Sequence, residues 1–391
     1  MCKQMTLKCH SDVNGHFIQN IANLVIEKQS NVYKNLLLMK SLTKLCISYG
    51  NKNKKFKVDD ETLQYIGELK QLTSLHIHGI GIDNVWDIAD LKQLTELDIS
   101  DNKINSEGAR VISESFKHLT KLDISNNTID VGTKYISQLK QLTYLDVSNN
   151  EIEEEDVKYI GNMNGLTSLS IQYNHIGNIG AQYISGLKQI TTLSIYSGDI
   201  GDEGAKYISE MKQLTNLNIG FNNINIRGAI HISKLKQLTE LSISANNFGS
   251  GGLKYITQLK QLTKLYCCDS EIDSEGVKYI SEMKQLTDVD LSYNNINSEG
   301  VKYLNKLKKL TKLYIGGNDL GNKGAMYISR LNQLTHLDIC RNNVSDEGFK
   351  SISKMKQLSS LFISENTISG EGVEYIRKMT QAASICVDFG D

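Results

Sequence analysis

The chain has 391 residues, no proline, 22% charged residues and a formal net charge of -1, so neither the electrostatic footprint of a nucleic-acid binder nor a disordered acidic chain is indicated. No apolar run is long enough to span a membrane, MCKQMTLKCHSDVNGHF holds no secretory signal, and the seven cysteines form no disulfide framework. Composition therefore predicts an intracellular, cytoplasmic protein with no nucleic-acid or membrane partner; the sequons headed by Asn126 and Asn343 matter only in a secreted chain.

Residues 1–41 are expected to be an N-terminal cap or degenerate repeat that covers the core of the repeats after it. A short strand is expected around Leu7 to Cys9, Phe17, Ile21, Leu24 and Val25 stand at helical spacing, and a second apolar run covers Leu36 to Met39. Leu42 opens the first recognisable strand, LTKLCIS, and the second domain, residues 42–391. The basic loop Asn51 to Lys57 delays the next start to Leu72, Trp86 marks a short repeat, and the repeat from Leu94 runs slightly long around Ser115. From Leu119 the spacing settles. Starts recur at Leu142, Leu166, Ile190, Leu214, Leu238, Leu262, Leu286, Leu310, Leu334 and Leu358, a period of about 24 residues. After Leu358 the frame reaches Ala382, where AASICVDFGD reads as a last strand, Ile385 to Phe389, whose edge is expected to self-pair or fray.

The repeated unit is L-T-x-L-x-I-x-x-N-x-I-x-x-x-G-x-x-Y-I-S-x-L-K-Q. In LTDVDLS, Leu286, Val289 and Leu291 alternate with outward Asp288 and Asp290, as in a half-buried strand. In SEGVKYLNKL, Val301, Leu304 and Leu307 fall at helical spacing, and Ser298 before Glu299 signals a helix start. Each unit is thus strand, turn, short helix and return, and successive strands should form a parallel sheet through right-handed crossovers. One unit alone buries too few side chains to offset the entropy of ordering it, so units must stack on a shared core.

The strand half, L-x-x-L-x-I-x-x-N-x-I, resembles the leucine-rich repeat family over about Leu42 to Asp391. The second half, as in Gly204-Ala205-Lys206-Tyr207-Ile208-Ser209, is similar to the GALA subclass, close to the ribonuclease-inhibitor-like repeats, with Ser where that subclass prefers Ala. The resemblance implies an α/β fold: a right-handed leucine-rich-repeat solenoid, or horseshoe, with a concave parallel β-sheet and short helices on its convex side. It also implies a protein-binding scaffold rather than an enzyme, with no cofactor. GALA proteins that join an F-box to the repeats act in ubiquitin ligases, so a substrate-recognition arm of a ligase or effector system is the alternative. The F-box itself does not carry over, because it opens with Leu-Pro and this chain has no proline.

Two ladders have structural explanations. Asn102 and its equivalents through Asn366 should satisfy backbone groups of the turns, with Gly198 and Ser270 as breaks where the turn should be looser. The tyrosines from Tyr135 to Tyr375 should pack along the border of the helix stripe. Charges are sorted as the helix dipole favours: Asp202, Glu203, Glu275, Glu299 and Glu347 at helix starts, Lys212, Lys236, Lys260, Lys284 and Lys356 after helix ends.

Specificity is left to the outward strand positions that vary. Their central row reads Cys46, His76, Asp98, Asp123, Asp146, Ser170, Ser194, Asn218, Ser242, Tyr266, Asp290, Tyr314, Asp338, Phe362, Cys386. Its first half is acidic, helped by Glu96 and the run Glu153 to Asp156, with Lys121 at hand to offset it. Aromatic residues gather from the middle onward, adding Tyr144, Tyr173, Tyr196, Phe221 and Tyr293. Tyrosines beside carboxylates have the composition of a protein-binding patch, here one for a partner with a basic surface. Cys46, His76 and Asp98 in one row have the polarity of a nucleophilic triad, and His78 would extend it to a partial metal set, but nothing nearby is placed to stabilise an oxyanion. No catalytic or metal-binding role is assigned to them.

Overall fold

A computed structural model of the chain describes residues 3–7, 21–26, 41–48, 60–379 and 384–386. It divides into two units, Met1–Gly198 and Asp199–Asp391. In the first, strands β1 (Lys3–Leu7), β2 (Ile21–Ile26), β3 (Lys44–Ser48), β4 (Ser74–His78), β5 (Glu96–Asp98), β6 (Lys121–Asp123), β7 (Tyr144–Asp146), β8 (Ser168–Ser170) and β9 (Thr192–Ser194) each pair in parallel with the next. The second repeats this with β10 (Asn216–Asn218), β11 (Glu240–Ser242), β12 (Lys264–Tyr266), β13 (Asp288–Asp290), β14 (Lys312–Tyr314), β15 (His336–Asp338), β16 (Ser360–Phe362) and β17 (Ser384–Cys386). A short helix or 3-10 turn follows most strands on the other side of the core. In β5 to β9 the middle residue points inward: Leu97, Leu122, Leu145, Leu169 and Leu193 pack in register and are at most 2% exposed.

The ends of the repeat pattern depart from expectation. The first strand is Lys3–Leu7 rather than Leu7 to Cys9, and Ile21–Ile26 is a strand, not a helix. IANLVI is short, almost wholly apolar and bordered by β-branched residues, and pairing on both edges, with β1 and β3, overrides its helical spacing. Leu36 to Met39, the loop 51–57 and the chain beyond Cys386 lie outside the described residues.

The asparagine ladder staples each turn to the one before it. Asn174 Oδ1 accepts from the backbone N–H groups of Asn150 and Ile152, both at 3.0 Å, while its Nδ2 donates to the carbonyls of Val147, Ile171 and Gln172. The residue before each ladder position is left-handed, whatever its side chain: Asp101, Asn126, Tyr173, Ser197, Phe221, Asp269, Tyr293 and Arg341 all have φ between 50 and 56°. That holds before Gly198 and Ser270 too, so the turn keeps its backbone where the amide is missing; the Ser270 hydroxyl donates to the Cys268 carbonyl instead.

A third ladder, of threonines, was not expected. In the second unit Thr239, Thr263, Thr287, Thr311 and Thr335 each donate a hydroxyl to the carbonyl of the threonine one repeat earlier, at 3.1–3.2 Å. The L-T pair that opens most repeats is its signature.

The helix charges do more than match a dipole. Lys140, Lys236 and Lys260 donate to the last carbonyls of their own helices at 2.6–3.0 Å, and Lys212 and Lys284 do the same. Asp202 reaches into the next repeat, accepting from Asn225 N–H (2.8 Å) and Gly228 N–H (2.9 Å). The helix expected to start at Ser298 does begin there, but Asn297 caps it, accepting from the N–H groups of Glu299 and Gly300.

Candidate partner-binding face

In the first unit the register is Cys46↔His76↔Asp98↔Asp123↔Asp146↔Ser170, side by side on adjacent strands. Strand spacing of about 4.8 Å puts three carboxylates in one line. Local serines orient them: Asp98 and Asp123 each accept from the N–H and hydroxyl of the serine two residues on, and Asp146 from Ser148 N–H. These bonds run to Oδ1.

The three carboxylates are not equivalent. Burial pushes Asp98 up, but hydrogen bonds from His76 and Ser100 hold it below the usual carboxylate range. The same Asp98 bond raises His76. Burial raises Asp123 to about 6 despite Ser125, and the charges of Asp146 and Asp98 add to the rise. Lys121 does not relieve the row. Its Nζ sits 2.7 Å from Glu96 Oε1, and among the described residues the central line is left with His76, beside Asp98, as its one basic partner. His76, Glu96, Leu97, Asp98, Lys121, Asp123 and Tyr144 line a shallow cavity of about 310 Å³. Burial beside these carboxylates pushes the Tyr144 hydroxyl up to about 12.

The His76 ring is held by Asp98 and Ser74. His76 Nδ1 faces Asp98 Oδ2 at 3.4 Å and Nε2 faces Ser74 Oγ at 3.1 Å, so both ring nitrogens have partners other than Cys46. His78 Nδ1 meets Ser100 Oγ at 2.9 Å, and among the described residues no group of three His, Cys, Asp or Glu side chains could hold a metal. We expect Cys46 to alkylate at mildly acidic pH no faster than an unstructured cysteine peptide; a clearly faster rate would restore a role for His76 and Asp98 as its activators.

The other site residues divide by position. Tyr144 stands on β7 beside the acidic row, whereas Glu153 to Asp156 leave the strand face: Glu154–Asp156 form a 3-10 turn on the helix side. There Glu154 Oε1 accepts from Ile179 N–H at 2.7 Å, capping the next helix. Their spacing from the last leucine already put them past the turn. Tyr173, Phe221 and Tyr293 are not strand residues either; they occupy the left-handed turn position and are more than half exposed. Bulky side chains there are strained by roughly 1 kcal/mol or more, a sign that something other than stability keeps them. Tyr173 leans on Tyr196 with centroids 5.3 Å apart.

In the second unit the central row is Ser242↔Tyr266↔Asp290↔Tyr314↔Asp338↔Phe362. The neighbouring row is ion-paired: Lys264 reaches Glu240 at 2.9 Å and Lys312 reaches Asp288 at 3.4 Å. That pairing covers Asp288, expected to point into solvent, to 8% exposure. Tyr293 lies against left-handed Gly317, where an added Cβ would meet its ring at 2.6 Å, and Arg341 stands 5.9 Å from the ring centroid while bonding Glu365.

A parallel-stranded α/β repeat with a variable strand face defines a class, and sequence comparison agrees. The family described as Leucine-rich repeat region matches residues 156–383, more than half of the chain, and Leucine rich repeat matches residues 92–152. The chain belongs to the leucine-rich repeat family. Its fold is similar to that of an internalin from Listeria monocytogenes (TM-score 0.61, 20% identity, 85% of this chain and 90% of that one). It is also similar to a leucine-rich-repeat protein of Leptospira interrogans (TM-score 0.59, 24% identity, 96% of this chain and 97% of that one). No curated protein matches. No helix among the described residues is long and apolar enough to cross a membrane.

Proposed function

We propose that this protein is a binding scaffold that recognises a protein partner with a basic surface through the strand face of its first unit. The observation that carries this is the line Asp98, Asp123 and Asp146, in register and, among the described residues, without a lysine or arginine partner, while Asp98 faces His76 and Glu96 beside the line takes Lys121. Like charges directly opposed destabilise a sheet, and a bound cation would remove that cost. Tyr144 on the cavity wall and the Tyr173–Tyr196 pair beyond it supply aromatic anchors. The thiols of Cys267, Cys268 and Cys340 suit an intracellular setting. Recognition of substrates for a ligase or effector system would use the same face.

The test is the double substitution Asp123→Asn, Asp146→Asn. Partners captured by the parent chain at low salt should be lost from the variant and should weaken on the parent as salt rises. Equal capture at low salt by both chains would remove the acidic row from the binding site.

A further inference from the structure

Across five adjacent strands of the second unit, aromatic rings and carboxylates alternate: Tyr266, Asp290, Tyr314, Asp338, Phe362. All five are partly exposed. Adjacent strands lie about 4.8 Å apart, so successive aromatic residues stand about 9.6 Å apart with a carboxylate between them. A cation held midway is about 4.8 Å from each ring, inside the roughly 6 Å limit for attraction to a ring face, and directly above the carboxylate. The row thus forms two slots, one between Tyr266 and Tyr314 over Asp290, the other between Tyr314 and Phe362 over Asp338.

Among the described residues no cation pairs with the carboxylates at the base of the slots. Ser292 N–H donates to Asp290 Oδ1 at 2.9 Å and Cys340 N–H to Asp338 Oδ1 at 3.0 Å, which orients each side chain without neutralising it. The two lysines on the same face, Lys264 and Lys312, are engaged with Glu240 and Asp288. That neighbouring row is close to neutral, so the slots keep their negative charge.

We propose that this row is a docking track for an extended basic segment of a protein partner, with one lysine or arginine side chain in each slot and Tyr314 as the shared wall. This rests on the proposal that the partner presents a basic surface, and it adds a spacing. The slot centres are about 9.6 Å apart, and three residues of polyproline II advance about 9.3 Å, so the segment carries its cations at every third position.

The experiment uses the full chain and three synthetic peptides of one composition, acetylated and amidated, each with two arginines in a polyproline background. Arginines three positions apart match the slots; adjacent arginines and arginines two apart do not. Titration calorimetry at low salt should show the matched peptide binding about tenfold tighter than either isomer. Tyr314→Leu should lose about tenfold for the matched peptide, and Asp290→Asn with Asp338→Asn at least as much. Tyr314→Phe keeps the ring and should bind within about twofold, which guards against a folding defect in the leucine variant. Equal affinities for the three peptides, or parent-like binding by a folded Tyr314→Leu variant, would overturn the track. Because Asp123 and Asp146 lie in the first unit, a failure here leaves the capture test of that face standing, and the reverse also holds.

Discussion

Replacing Asn294 by Ala should lower the stability of the second unit by about 3 kcal/mol or more, read from urea unfolding. Its Oδ1 accepts from Ser270 N–H (3.1 Å) and Ile272 N–H (2.9 Å), and its Nδ2 donates to the carbonyls of Cys267, Leu291 and Ser292 at 2.9–3.1 Å. Each buried polar group left without a partner costs about 1–3 kcal/mol, and Ala leaves several. Asn332→Ala is the control: its side chain is exposed and its backbone is not left-handed, so its loss should change stability by less than about 0.5 kcal/mol. Similar losses at the two sites would mean that the ladder adds little beyond backbone pairing.

The second large effect is a dependence of stability on pH that runs opposite to ordinary acid unfolding. Asp123 titrates near 6 in the folded chain against about 3.9 unfolded. Its ionised form is therefore penalised above pH 6, and the penalty disappears as pH falls through 6 toward 4. His76 acts in the same direction. Its raised folded pKa gives stability that is present below its unfolded value and lost as pH rises through the folded one. Asp98 and Glu96 are depressed, so their contributions are lost only at more acidic pH. The first unit should accordingly unfold at higher temperature at pH 5.5 than at 7.5. Discounted for solvent screening, Asp123 alone is worth about 1–2 kcal/mol. Asp123→Asn should give that gain at pH 7.5 and only about half of it at pH 5. A gain that is the same at both pH values would show that charge on Asp123 is not its source.

Much of the fold was legible because a repeated pattern states the same fact many times. Alternation in LTDVDLS and the spacing of Val301, Leu304 and Leu307 each recur with few exceptions, so local ambiguity averages out. Ile21 to Ile26 had no such support, and its apolar run satisfied helical spacing while its pairing partners lay elsewhere in the chain. The row positions of Asp98, Asp123, Asp146, Tyr266 and Tyr314 also came from the repeat, since register sets which side chains stand together. What spacing could not disclose was competition for partners. Lys121 could have served Asp98 or Asp123, and only geometry shows it bound to Glu96. Nor did spacing show that Tyr173 and Phe221 sit at a left-handed residue, a property of the turn rather than of their own side chains.

The staples of the second unit all point one way. Asn246 fastens the turn around Ile224, Asn294 the turn around Ile272, Asn318 the turn around Ile296, and Asn366 the turn around Val344. Each asparagine amide also grips carbonyls of its own turn, but the N–H groups of that turn find their side-chain acceptor only in the next repeat's asparagine, made about one repeat later during synthesis. On the ribosome, each turn therefore waits for its successor, and order advances with a lag of one repeat behind the emerging chain. In the finished protein the same dependence sets the direction of fraying: opening a repeat frees the amide protons of the turn before it, while the turn after it keeps its lock.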